Sequence, residues 1–162
     1  MDLELLGSTH LRYADVHDAL EMFEMEERAF DEDGFSLELI RALIEHDAIV
    51  VLLEASGGGP ILAFAIVTED VRKRWLETRG GRAAHLVNFV VRPGYQDRGL
   101  GTHLLEVLMK GLSQEYSWMI LEVKTDNQRA IHVYEKLGFR VVRRVPGYYQ
   151  SGADCFVMVA RL

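Results

Sequence analysis

Several side chains in this sequence have types and spacings that could do chemistry. Glu122 stands between Leu121 and Val123 in an otherwise apolar run. A buried carboxylate is costly unless it is paired or put to use. It reads either as a general base that takes a proton from an attacking group through water, or as half of a structural ion pair with a nearby Arg or Lys. Tyr134 shares a helical face with Ala130, Ile131 and Leu137. It reads as a core tyrosine or as a phenol placed to give up a proton. His85 opens a strand in phase with Val87 and Phe89. Asn127 precedes a helix that its side chain can cap. Cys155 sits in an apolar terminal run and reads as a buried structural thiol rather than an acyl-carrying nucleophile.

The stretch from Val90 to Thr102 is a second chemical feature. A strand ends, Pro93-Gly94 turns the chain, and a helix begins inside a glycine segment holding Gly99 and Gly101. A helix start exposes unpaired N–H groups and the positive end of the helix dipole, which suits an anion. Glycine lets a phosphate approach the backbone, and Arg98 can add charge. The Gly-Lys-Ser/Thr ending of a Walker loop is missing, and so is the Gly-x-Gly-x-x-Gly dinucleotide fingerprint. A tight turn without a ligand is the bland alternative.

The elements that must position these residues follow from pattern. A short strand is predicted at 11–14, and Asp15 can cap a helix over 16–30 with Leu20, Phe23, Glu27 and Phe30 on one face. The acidic break Asp31-Glu32-Asp33-Gly34 follows, then a helix over 37–45 capped by Ser36. Runs 48–55 and 61–68 flank Ser56-Gly57-Gly58-Gly59-Pro60, a hairpin signal. Residues 70–82 are polar and read as a loop or a ragged helical turn. Strands are expected at 83–92, 118–125, 140–145 and 154–162, and helices at 99–116 and 127–137, the latter closed by Gly138. The order is β-α-α-β-β-β-α-β-α-β-β, an α/β fold with a mixed sheet and helices on its faces.

The chain has 162 residues, about one domain. Its net charge of −7 disfavours nucleic acid and tolerates cationic partners. No apolar run approaches the roughly 20 residues of a membrane helix, and the start lacks the marks of a signal peptide. A cytoplasmic protein with no membrane partner, acting as a monomer or homodimer, is expected. One cysteine excludes an intrachain disulfide and a cysteine-based zinc site, and no metal is expected.

Gln96-x-x-Gly99-x-Gly101 after Val90-Val91-x-Pro93 resembles the acetyl-CoA loop of the GNAT superfamily of N-acetyltransferases. The block from Leu121 to Phe139 and the tail from Gly147 to Asp154 are similar to the RimI and archaeal Nα-acetyltransferase branch. Similarity is densest over 85–162, while the N-terminal half matches in element order. The resemblance implies one acetyltransferase domain over 1–162 with acetyl-CoA as cosubstrate. It implies the diphosphate against Gln96, Asp97, Arg98, Gly99, Leu100, Gly101 and Thr102. The backbone of Phe89, Val90 and Val91 would meet the acetyl carbonyl and pantetheine, where an N–H can stabilise the oxyanion. Asn127 would contact the pantetheine arm, Glu122 would be the base, and Tyr134 would protonate the departing thiolate. Archaeal relatives can carry a histidine at the position of His85 that helps activate water; bacterial ones generally do not.

The same branch implies that Tyr148 and Tyr149 flank an entering peptide N-terminus, with Phe30, Phe35 and the loop between them as the opposite wall. Many relatives have a proline where this chain has Asp31. An α-amine has a pKa of about 7.7–8.0 and a lysine about 10.4, so deprotonating lysine at neutral pH costs roughly 3.5 kcal/mol more. A glutamate–water base therefore suits a protein N-terminus, a ribosomal protein being one candidate. A small-amine acetyltransferase and a catalytically silent CoA-binding partner subunit are the alternatives.

Overall fold

The computed structural model describes residues 2–46, 48–70 and 80–162. Its elements in chain order are α1 (Leu3–Gly7), β1 (Thr9–Tyr13), α2 (Ala19–Phe30), α3 (Leu37–Glu45), β2 (Ile49–Ala55), β3 (Ile61–Glu69), β4 (Ala83–Val91), α4 (Leu100–Leu112), β5 (Trp118–Lys124), α5 (Gln128–Lys136), β6 (Arg140–Val145) and β7 (Cys155–Arg161). The strands hydrogen bond in the order β1-β2-β3-β4-β5-β7-β6. β4 and β5 run parallel, whereas β1–β2, β2–β3, β5–β7 and β6–β7 are antiparallel, so the sheet is mixed. Among the described residues no helix is long and apolar enough to cross a membrane.

By contacts the chain divides into two compact units, Met1–Val67 with Asn88–Leu105, and Thr68–Val87 with Glu106–Leu162. In the first, residues 61–67 of β3 are buried throughout, as in a strand covered on both faces. Met22, Met25, Ile40, Leu52, Phe64 and Leu104 complete its core. In the second, the register pairs His85 with Ile120 and Glu122 with Val157. Ala83, Ile120, Cys155, Val157 and Val159 are buried together on one face, with Tyr149 packed against them.

Most expected elements stand within two residues of their predicted bounds, and α3 matches at both ends. Two differences have physical causes. α1 was not expected; it is a five-residue turn capped by Asp2, whose carboxylate accepts from Leu5 N–H at 3.1 Å. Five residues are too few for a hydrophobic period to register. The helix expected over 16–30 begins as a 3₁₀ turn, Val16–Asp18, capped by Asp15, and becomes α-helical at Ala19. The tighter turn rotates the face, so Ala19, Met22, Met25 and Glu26 are buried while Leu20 and Glu27 are exposed. Of the polar stretch at 70–82, residues 71–79 lie outside the described residues. Beside it Asp70 N–H bonds Ala83 O and Ser117 N–H bonds Arg82 O, both at 2.9 Å.

Candidate active site

Strand alternation sets the first part of the site. Residues 119, 121 and 123 of β5 are buried on one face, leaving Trp118, Ile120, Glu122 and Lys124 on the other. The parallel register aligns that face with His85 of β4. His85 Nε2 and Glu122 Oε2 stand 2.6 Å apart, with 27% and 11% of each side chain exposed. An ionised carboxylate only accepts, so Nε2 carries the hydrogen in that state. Glu122 therefore has a partner, but a histidine rather than the Arg or Lys considered from sequence. The pair can hold a proton-accepting oxygen in place, and the imidazole can share the charge that develops there.

The tyrosines belong to the same unit. Tyr148 and Tyr149 lie in the β6–β7 loop with ring centroids 5.0 Å apart, edge to face. Asp154 staples that loop: Oδ1 accepts from Gly147 N–H at 2.9 Å and Oδ2 from Arg144 Nη2 at 2.7 Å. Those contacts, led by the Gly147 N–H, hold its carboxyl below the usual range. Burial first, and the Glu122 carboxylate second, push Tyr148 up to about 12. Tyr149 is raised further, again by burial first, with Glu122 and Tyr134 among its neighbours. The Lys124 ammonium sits 5.4 Å from the Tyr149 ring centre. Tyr149 is half-buried, while Tyr148 keeps about half its surface, 47%, exposed.

Tyr134 is buried on α5, and burial raises its pKa well above that of a free phenol. At neutral pH it holds its proton, as a donor must. Asn127 caps α5, its Oδ1 accepting from Ala130 N–H at 3.1 Å. Cys155 is fully buried, and burial first and Glu122 second raise the thiol to about 11. A thiol so protonated is a poor nucleophile at neutral pH.

The first unit holds the glycine loop. Between β4 and α4 the backbone is left-handed at Gly94, Asp97 and Gly99, with φ of 87°, 62° and 88°. The turn closes through Tyr95 N–H to Arg92 O at 3.0 Å, and His103 N–H bonds Gly99 O at the same distance as α4 begins. A Cβ on Gly101 would lie 3.0 Å from both Phe89 Cζ and Val91 Cγ2, so only glycine brings the helix start this close to β4. A backbone-built turn of this kind at a helix start could receive an anion. Leu100 is buried and offers its N–H rather than its side chain, whereas Thr102 is half-buried. Arg98 Nη2 donates to Gly94 O at 3.2 Å and its guanidinium lies 5.2 Å from the Tyr95 ring centre. Arg98 braces the loop, and the helix N-terminus has the N–H groups that could bind an anion.

Phe30 and Phe35, both half-buried, bracket the segment between α2 and α3. Phe35 N–H donates to Glu26 Oε2 at 3.1 Å. Neither Glu26 nor the buried Asn88 of β4 stood out in the sequence. The available signal was the spacing Ala19, Met22, Glu26, which puts a carboxylate on the apolar side of α2 once the helix phase is right.

The acetyltransferase (GNAT) family model matches residues 15–139, and the chain belongs to that family. Among its relatives, an N-alpha-acetyltransferase of Saccharolobus solfataricus is 39% identical over 83 residues, half of each chain. N-alpha-acetyltransferase RimI of Mycobacterium tuberculosis is 41% identical over 105 residues, 64% of this chain and 61% of that one. The crystal structure of the ribosomal-protein-S18-alanine N-acetyltransferase from Escherichia coli superposes with a TM-score of 0.78 at 27% identity, covering 94% of this chain and 93% of that one. The chain spans about half the length of the first curated relatives it matches.

Proposed function

We propose that this chain is a RimI-like protein Nα-acetyltransferase that moves the acetyl group of acetyl-CoA directly onto the α-amine of a protein or peptide. The observation that carries this is the Glu122–His85 pair, 2.6 Å across, in the same unit as a partly exposed, edge-to-face tyrosine pair. The cosubstrate supplies an activated acetyl thioester. The N–H groups at the start of α4, with Gly99 and Gly101, would receive its diphosphate, and the backbone of Phe89, Val90 and Val91 its acetyl and pantetheine portion. Gln96, Asp97, Arg98 and Thr102 complete that loop. Glu122, steadied by His85, takes the proton of the attacking amine through water. Tyr134, protonated at neutral pH, gives a proton to the leaving sulfur. Asn127 orders the start of α5. Tyr148 and Tyr149, and separately Phe30 and Phe35, are the aromatic side chains that would contact the peptide. The raised thiol of Cys155 argues for one-step transfer, since a carrier thiol needs its thiolate. Residues 1–162 act in this reading as one catalytic domain in the cytoplasm.

The test is a panel of peptides starting with Ser, Ala or Met, assayed for CoA release. Turnover of at least one is expected. Tight acetyl-CoA binding with no turnover of any peptide would sink the reading. Turnover of small amines alone would move the chain to a different acceptor class.

A further inference from the structure

Glu26 is 1% exposed, on the face of α2 that carries Ala19, Met22 and Met25. Its Oε2 accepts from Phe35 N–H, but its Oε1 is buried without a hydrogen-bond partner. Asn88 of β4 is 7% exposed, and its Oδ1 is likewise buried without a partner. The two side chains are neighbours: a side-chain interaction with Asn88 lowers the Glu26 pKa, against the larger effect of burial. Two buried acceptors lacking a donor are costly, and one hydrogen cures both. A neutral Glu26 donates from Oε1 towards Asn88 while Oε2 keeps the Phe35 N–H. Burial outweighs the opposing hydrogen bonds from Phe35 N–H and the Asn88 side chain and pushes the carboxyl up to about 7.

We infer that Glu26 is a positioning residue for acceptor recognition, tying the segment that carries Phe30 and Phe35 to strand β4 through Phe35 N–H on one oxygen and Asn88 on the other. This rests on the reading of Phe30 and Phe35 as one wall of the peptide site. The contact needs shape and one hydrogen, not charge. Glutamine has both: its carbonyl serves Phe35 N–H and its amide serves Asn88 Oδ1. Alanine has neither, and leaves the Phe35 N–H without its partner.

The experiment is steady-state kinetics on the full chain with a peptide that the native protein acetylates, varying peptide and acetyl-CoA separately. Glu26→Ala should raise the peptide KM about tenfold, the cost of one lost buried hydrogen bond, with kcat and the acetyl-CoA KM within about twofold. Glu26→Gln should keep all three near native. Amide hydrogen exchange gives an independent readout: Phe35 should lose protection in Glu26→Ala and keep it in Glu26→Gln. Should the alanine variant not fold, Glu26→Asp, which withdraws the carboxyl by one methylene, should raise the peptide KM about threefold. An unchanged peptide KM in the alanine and aspartate variants overturns the inference. So does a glutamine variant as impaired as alanine, because charge would then matter. If the native chain acetylates no peptide, the functional reading itself fails; if it does and only these variants disagree, the inference alone fails.

Discussion

In the proposed mechanism Glu122 and His85 divide one task, and their environments predict an order of severity. Glu122→Gln keeps the hydrogen bond but removes the proton acceptor, so kcat should fall about 10²-fold or more with acetyl-CoA affinity unchanged. His85→Ala leaves the carboxylate in place without its brace, and a loss nearer tenfold is expected. Rapid-quench kinetics and acetyl-CoA titration measure both; equal rates in native and Glu122→Gln protein would remove the base assignment. Glu26 makes a separate prediction about stability. Its folded value is about 7 against an ordinary 4.5, so between these values the folded state holds more protons than the unfolded chain. Its stabilising contribution is complete below about pH 4.5 and is lost as pH rises through 7, by about 3 kcal/mol. Urea unfolding at several values across this range should show that decline in the native protein. Glu26→Gln should lack this component of the slope; identical slopes would contradict it.

At the scale of elements, local signals were legible and long-range ones were not. The Pro93-Gly94 turn, the Asn127 cap and the Ser36 cap are written in neighbouring residues, and α3, α5 and the glycine loop stand where they were expected. The phase of α2 depends on a 3₁₀ turn held by Arg12, which bonds Asp18 at 2.6 Å from the adjacent strand β1. That contact has no local signature, which is why Glu27 was placed on the face that Glu26 occupies. The partner of Glu122 was hidden for a similar reason. His85 is 37 residues away and meets it only through the parallel register of β4 and β5. The close approach at the start of α4 gives a direct test. Gly101→Val would push methyl groups into Phe89 and Val91, and the acetyl-CoA KM should rise about tenfold or more with the peptide KM little changed. Isothermal titration with CoA checks it, and native affinity in the valine variant would place the diphosphate elsewhere.

For the molecule as a whole, net charge gives the proposed peptide acceptor a testable salt dependence. A net charge of −7 draws cationic peptides towards the protein, and salt screens that attraction over a Debye length of about 8–10 Å at ordinary ionic strength. The kcat/KM for a basic peptide should fall between low and high salt, while that for an acidic peptide holds or rises. Opposite trends would mean that the local field at the entrance differs in sign from the whole. The central claim concerns which nitrogen is acetylated, and one measurement addresses it directly. A peptide with a free α-amine and an internal lysine, incubated with acetyl-CoA and the native chain, is mapped by tandem mass spectrometry. The account predicts acetyl on the α-nitrogen and an unmodified lysine, with the same outcome for Cys155→Ser. Acetyl on the lysine ε-nitrogen, or transfer that disappears with Cys155, would contradict it.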